Sequence, residues 1–190
     1  MLKDLIAKNL GNNVEPQFTL RPEVLLLPQI PKPLHGLAPR VILGRQWWDK
    51  TRQEAYRKCW FHCIACGIHK SQARAHKWLE GHEIYRTDYL IGRMYYIETV
   101  PLCHYCHNYI HQGRLQALFE KRQIAQQRYV AILQHGERIL ASVGLTRDPP
   151  YEGPMAEWSK WRLVIGKQMF KPKFKSLEEW AKFYNQEAEE

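Results

Sequence analysis

Two cysteine knuckles, Cys63-Ile64-Ala65-Cys66 and Cys103-His104-Tyr105-Cys106, constrain this chain more than any other feature. Each offers two thiolates from one tight turn, and two such turns close a tetrahedral shell of four sulfurs around a zinc ion. With no coordination position left open, that zinc is expected to be structural. Sites of this kind contribute about 10–16 kcal/mol in small zinc modules, enough to decide whether the region folds. The interval between the knuckles is longer than in a compact zinc ribbon, so an inserted element must fold back between them.

At 190 residues the chain can hold one medium domain, or a domain plus a small module. Lys and Arg outnumber Asp and Glu by 28 to 19, a formal charge of +9 that suits a polyanionic partner such as DNA. Met1 to Ile6 lacks the sustained apolar core of a secretory signal, and no run is long enough to span a bilayer. A cytoplasmic location follows as the expectation, with no membrane partner. In reducing cytoplasm paired cysteines mean metal more often than disulfides. The odd one, Cys59, is expected as a buried thiol at a helix end.

Residues 1–40 carry Pro16, Pro22, Pro28, Pro31, Pro33 and Pro39, a run that disfavours regular helix and predicts an extended arm. Inside it Val24-Leu25-Leu26-Leu27 is apolar enough to dock on a surface. Residues 41–146 form the expected zinc domain. Trp48, Ala55, Tyr56 and Cys59 fall at helical spacing, predicting a helix over 45–58 with Trp47 and Trp48 as core anchors. Trp78 to Tyr85 and Met94 to Val100 read as two antiparallel strands, with the turn at Ile91-Gly92. A helix is expected from near Cys106. Beyond it, Leu115, Leu118, Phe119, Ala125, Tyr129, Ile132, Leu133, Leu140 and Val143 predict one amphipathic helix, or two broken near Gly136. Asp148-Pro149-Pro150 and Gly153-Pro154 mark a linker. Residues 151–190 read as a small accessory module: strands at 161–165 and 169–174, then a helix opened by the capping box Ser176-Leu177-Glu178-Glu179. The fold class is α+β.

The histidines carry the chemistry. His107 and His111 are four residues apart, so on a helix both rings project from one face and can share a divalent ion. His82, on the first expected strand, is placed to be a further ligand or a general base for a water molecule. Glu80 and Glu83 flank it and can ligate an ion or orient the ring.

The order of knuckle, Leu79-Glu80-Gly81-His82-Glu83, hairpin and Leu102-Cys103-His104-Tyr105-Cys106-His107, closing on Ile110-His111, resembles the HNH endonucleases. Those are ββα-metal proteins, here of the small bacterial or phage kind with an extra four-cysteine zinc. The resemblance covers residues 40 to 115. It implies a ββα-metal core, with Cys63, Cys66, Cys103 and Cys106 on structural zinc. His82 would be the catalytic base, and His107 and His111 would hold a catalytic Mg2+ or Mn2+ against the scissile phosphate of DNA. Two positions depart from the family's pattern. Gly81 stands where the family has an Asp or His ligand, and Glu98 where it has Asn. They support an alternative in which the chain is a non-catalytic HNH-like zinc module that binds DNA or a host protein, as a phage-encoded inhibitor or regulator. A zinc protein acting on RNA has only the net charge behind it.

Overall fold

The computed structural model describes residues 18–147, 149 and 151–189. The first 17 residues of the expected arm, with Asp148 and Pro150 of the expected linker, lie outside the described residues. The chain is α+β, with one four-stranded sheet in the order β1-β2-β3-β4. Strand β1 (Glu80–Asp88) pairs antiparallel with β2 (Arg93–Leu102). The turn falls at the expected place, and Asp88 Oδ1 accepts from the backbone N–H groups of Leu90 and Ile91 to hold it. Along β1 side chains alternate, so Glu80, His82 and Ile84 share one face. Ile84 and the cross-strand residues Val100 and Leu102 are buried in the main core, which places that face inward. A bulge between Ile84 and Tyr85 shifts the register beyond it.

Helix α1 (Pro39–Ile42) leads into α2 (Gly44–Lys58), which ends on the buried thiol of Cys59. From within the second knuckle runs α3 (His104–Ile110), then α4 (Gln112–Glu120) and α5 (Gln126–Ala141). The two-helix expectation therefore holds, but the break lies at 121–125. Arg122 adopts a left-handed φ of 54° there, whereas α5 runs unbroken through Gly136. Glycine at 136 is explained by packing: it lets the helix seat directly against the buried Tyr109 ring of α3.

The proline-rich segment is not an extended arm where it is described. Pro22, Pro33 and Pro39 sit in the first turns of the 3-10 helices Pro22–Leu26 and Lys32–Leu34 and of α1, positions where the missing N–H is unneeded. Val24 and Leu25 are buried in the main core beside the cysteines, and Leu34 in a second core with Met94, Trp161 and Leu163.

The carboxy-terminal strands β3 (Arg162–Ile165) and β4 (Gln168–Phe170) extend the same sheet. Strand β3 pairs parallel with β2, from Arg93 opposite Arg162 to Tyr95 opposite Val164. The expected accessory module thus joins the same sheet by strand addition. Helix α6 (Leu177–Glu189) opens on the expected cap: Ser176 Oγ accepts from Glu179 N–H, and Glu179 Oε2 from Lys175 N–H. No helix among the described residues is long and apolar enough to cross a membrane.

Candidate functional site

Three backbone hydrogen bonds fix where the knuckles stand. Gly67 N–H closes the first turn onto the Cys63 carbonyl at 2.8 Å, and Ile64 N–H ties that turn to Pro101 O at 2.9 Å. His107 N–H bonds Cys103 O at 2.9 Å, so the second knuckle is already the first turn of α3. The sulfurs of Cys63, Cys66, Cys103 and Cys106 consequently lie within 4.8 Å of one another. Cys66 Sγ and Cys103 Sγ are 3.8 Å apart. Sulfurs about 2.3 Å from a central zinc in a tetrahedron stand about 3.8 Å from each other, so the spacing fits a metal ion. Burial pushes the Cys63 thiol up, while hydrogen bonds from Cys106, Cys63 and Cys66 pull Cys103 down. Four clustered thiols cannot all ionise without a cation among them, and this donor set can hold one.

His135 of α5 reaches the same cluster, its Nε2 standing 3.4 Å from Cys106 Sγ. Burial lowers its pKa, but hydrogen bonds to the Cys103 and Cys66 sulfurs outweigh that and raise it to about 9. His135 is therefore a donor to the sulfurs from outside the shell.

On the inward face of β1, His82 meets His107 and His111. The three offer nitrogens within 4.8 Å of one another. Ring centroids are separated by 5.3 Å (82 to 107), 5.0 Å (82 to 111) and 4.7 Å (107 to 111), a nearly regular triangle. Burial first, then the charge of His107, His111 and Arg40, lowers the pKa of His82 to about 2. Burial also lowers His111, to about 4, helped by His107, Arg114 and Arg40 against the pull of Glu80. Both rings are thus neutral at neutral pH, with a lone pair available to a cation or a proton. The triad opens on a cleft of about 600 Å³ that Arg40, Trp48 and Arg114 also line.

The two glutamates beside His82 divide their work. Glu80 shares the face of His82 and sets one carboxylate oxygen against His107 Nδ1 and the other 2.8 Å from His104 Nδ1. Burial pushes this carboxyl up, yet the hydrogen bonds and charge of His104 and His107 outweigh it and hold the group well below the usual carboxylate range. With Nδ1 of His107 engaged by Glu80, Nε2 is its nitrogen for an ion. Glu83 is buried and taken by Arg40, whose Nη1 donates to both carboxylate oxygens at 2.6 Å.

Of the positions that depart from the HNH pattern, residue 81 is set by packing and Glu98 by an ion pair. A Cβ at Gly81 would stand 2.9 Å from Cη2 and Cζ2 of Trp48 and 3.3 Å from Cβ of Arg52, because residue 81 faces α2. Trp47 and Trp48 are accordingly half-buried covers of the hairpin's outer face, not core anchors; Trp47 meets Tyr96 edge-on at 5.8 Å. Glu98 is bound by Arg21 Nη1 at 2.5 Å.

The fold and these clusters define an α+β protein whose four cysteines can hold a metal ion beside a histidine triad. Compared with known proteins, the chain matches no family model, no curated protein and no solved structure. Reading the sequence singled out Cys63, Cys66, Cys103, Cys106, His82, His107 and His111, and the structure brings them together as two clusters. It missed His76, His104 and His135, which carry no spacing signal of their own.

Proposed function

We propose that the protein is a metal-dependent DNA endonuclease of HNH type, with a structural zinc on Cys63, Cys66, Cys103 and Cys106. The observation that carries the reading is the triangle of His82, His107 and His111 at the foot of a cleft lined by Arg40 and Arg114. His107 and His111 would hold a Mg2+ or Mn2+ ion, which supplies charge stabilisation at the scissile phosphate and the leaving 3′ oxygen. His82, neutral and within reach of the same space, takes the proton of the attacking water. Glu80 fixes the His107 ring from behind, as carboxylates do for ligating histidines. Arg114 is exposed at the cleft mouth, free to meet phosphate, and the excess of 28 basic over 19 acidic residues favours a polyanion.

Nicking of supercoiled plasmid with Mg2+ or Mn2+ is the test. His82→Ala is expected to lower the rate by about 100-fold or more, and His107→Ala/His111→Ala to abolish it. Folded protein that nicks DNA with no divalent ion, or a His82→Ala variant as fast as wild type, would refute the proposal.

The packing at Gly81 and the ion pair of Glu98 favour a second reading, in which the module binds DNA or a host protein without cutting. DNA retained by both His82→Ala and a wild type that never cleaves would establish it over the first.

A further inference from the structure

We propose that His76, Glu80 and His104 form a second cation site beside the histidine triad, taking a borderline divalent transition metal such as Zn2+ or Co2+. It does not rest on the nuclease reading, since its evidence is the arrangement of three other donors. His76 comes from the loop before β1, Glu80 opens β1 and His104 opens α3. Glu80 Oε1 is 2.9 Å from His76 Nε2 and 2.8 Å from His104 Nδ1, and the two nitrogens are 3.2 Å apart. Ligands about 2.0–2.1 Å from a tetrahedral ion stand about 3.3 Å apart, so a small outward adjustment of each donor admits one.

The orientation of His76 suits a cation there. Its Nδ1 lies 3.2 Å from the carbonyl of Trp78, an acceptor only, which turns Nε2 toward the other two residues. With Nδ1 turned to that carbonyl, Nε2 is the nitrogen left for an ion, and it faces the Glu80 carboxylate oxygen and His104 Nδ1. A nitrogen of His76, a nitrogen of His104 and a carboxylate oxygen of Glu80 thus converge on one point, a donor set that a divalent cation can occupy. The ring is stacked on Trp78 with centroids 3.7 Å apart and planes 3° from parallel, which favours this orientation. The three side chains are 14 %, 23 % and 25 % exposed for His76, Glu80 and His104, so an ion can enter from solvent. Two imidazoles and one carboxylate favour Zn2+ or Co2+ over Mg2+, whose preferred shell is all oxygen.

Glu80 joins the two sites. With Oε1 committed to this ion, Oε2 stays on His107, so the cation fixes the carboxylate that orients a ring of the triad.

The experiment is a Co2+ titration of full-length protein with the cysteine site already zinc-loaded, read by metal content per chain and by tryptophan fluorescence. Wild type is expected to bind Co2+ with quenching that disappears in Trp78→Phe, because the ion sits next to the ring stacked on that indole. His76→Gln, a change in a loop, is expected to weaken this Co2+ binding by about tenfold or more and remove the Trp78 component. His107→Ala/His111→Ala should leave the Trp78 component in place, even if it abolishes DNA cleavage. Absence of Trp78-dependent quenching in wild type, or His76→Gln binding Co2+ as tightly as wild type, would overturn the site. Neither result bears on whether His82 cleaves DNA.

Discussion

Replacing Gly136 by alanine tests how α5 is held against α3, and through α5 how His135 is held on the sulfurs. In a helix free of neighbours the change stabilises by about 1 kcal/mol, because glycine is the poorer helix former. Here a Cβ would fall 2.2, 2.3 and 2.5 Å from Cδ2, Cγ and Cδ1 of Tyr109. Carbon atoms in good contact stand about 3.5–4.0 Å apart, so ring or helix must give way by roughly 1.5 Å. The ring is pinned. It is fully buried, its hydroxyl donates to Glu137 Oε1 at 2.6 Å, and the Arg147 guanidinium lies 4.6 Å from its centroid. The helix must therefore move, and it also carries the buried Ile132 and Leu140.

Overpacking of this kind costs about 1–3 kcal/mol, and the depth of the overlap selects the upper end. Set against the propensity gain, Gly136→Ala is expected to destabilise by about 1–2 kcal/mol. In a chain of this size each kcal/mol lowers the melting temperature by about 2–4 °C. Urea unfolding of metal-loaded protein reads the change as a lower midpoint at constant slope. Tyr109→Leu, which removes the ring, should abolish the penalty in the double variant relative to Tyr109→Leu alone. A Gly136→Ala protein at least as stable as wild type would show that propensity governs and that the helices do not meet as described.

Three further outcomes follow from the same contacts. His135→Gln should weaken metal binding at the four-cysteine site by about 10–100-fold, read by competition with a chromophoric chelator, and an unchanged affinity would remove His135 from the support of that site. Stripping the metal with a strong chelator should lower the urea midpoint sharply, because the knuckles hold β2 and α3 together; equal midpoints for stripped and loaded protein would refute a structural role. His35 is lowered in pKa, first by burial and then by the charge of Lys32, against the pull of the Ile30 carbonyl. Its Nδ1 accepts from Trp180 Nε1 at 3.1 Å, which leaves Nε2 to donate to that carbonyl at 2.9 Å, so the neutral ring is the one that fits. The unfolded chain takes up a proton near pH 6.5 that the folded chain resists, so stability should fall as pH drops from about 6.5 through the lower folded pKa. Urea midpoints at pH 7.5 and 5.5 should converge in His35→Gln relative to wild type, and an unaltered pH dependence would remove His35 from the account.

What could be read from the residue order, and what could not, divides along contact range. His107 and His111 are joined by helical period, and Glu80 and His82 by strand alternation, so their common faces follow from local geometry. The cysteine pairs announce themselves because a tight turn is the whole of their geometry. His135 stands 29 residues from Cys106, and what delivers it is the close approach at Gly136, for which a glycine in a helical pattern suggests a break instead. The parallel pairing of β3 with β2 has no local signal, and the prolines of the amino-terminal segment suit 3-10 turns as well as an extended chain. His104 is the instructive omission. It lies inside a knuckle, where it reads as filler between Cys103 and Cys106. Yet a turn that sends both sulfurs inward must send an intervening residue elsewhere, and here that direction is toward Glu80. An ion among the sulfurs therefore also sets the position of a donor to the second cluster, so loss of metal at the knuckles should disturb His104 and Glu80 before any histidine is changed.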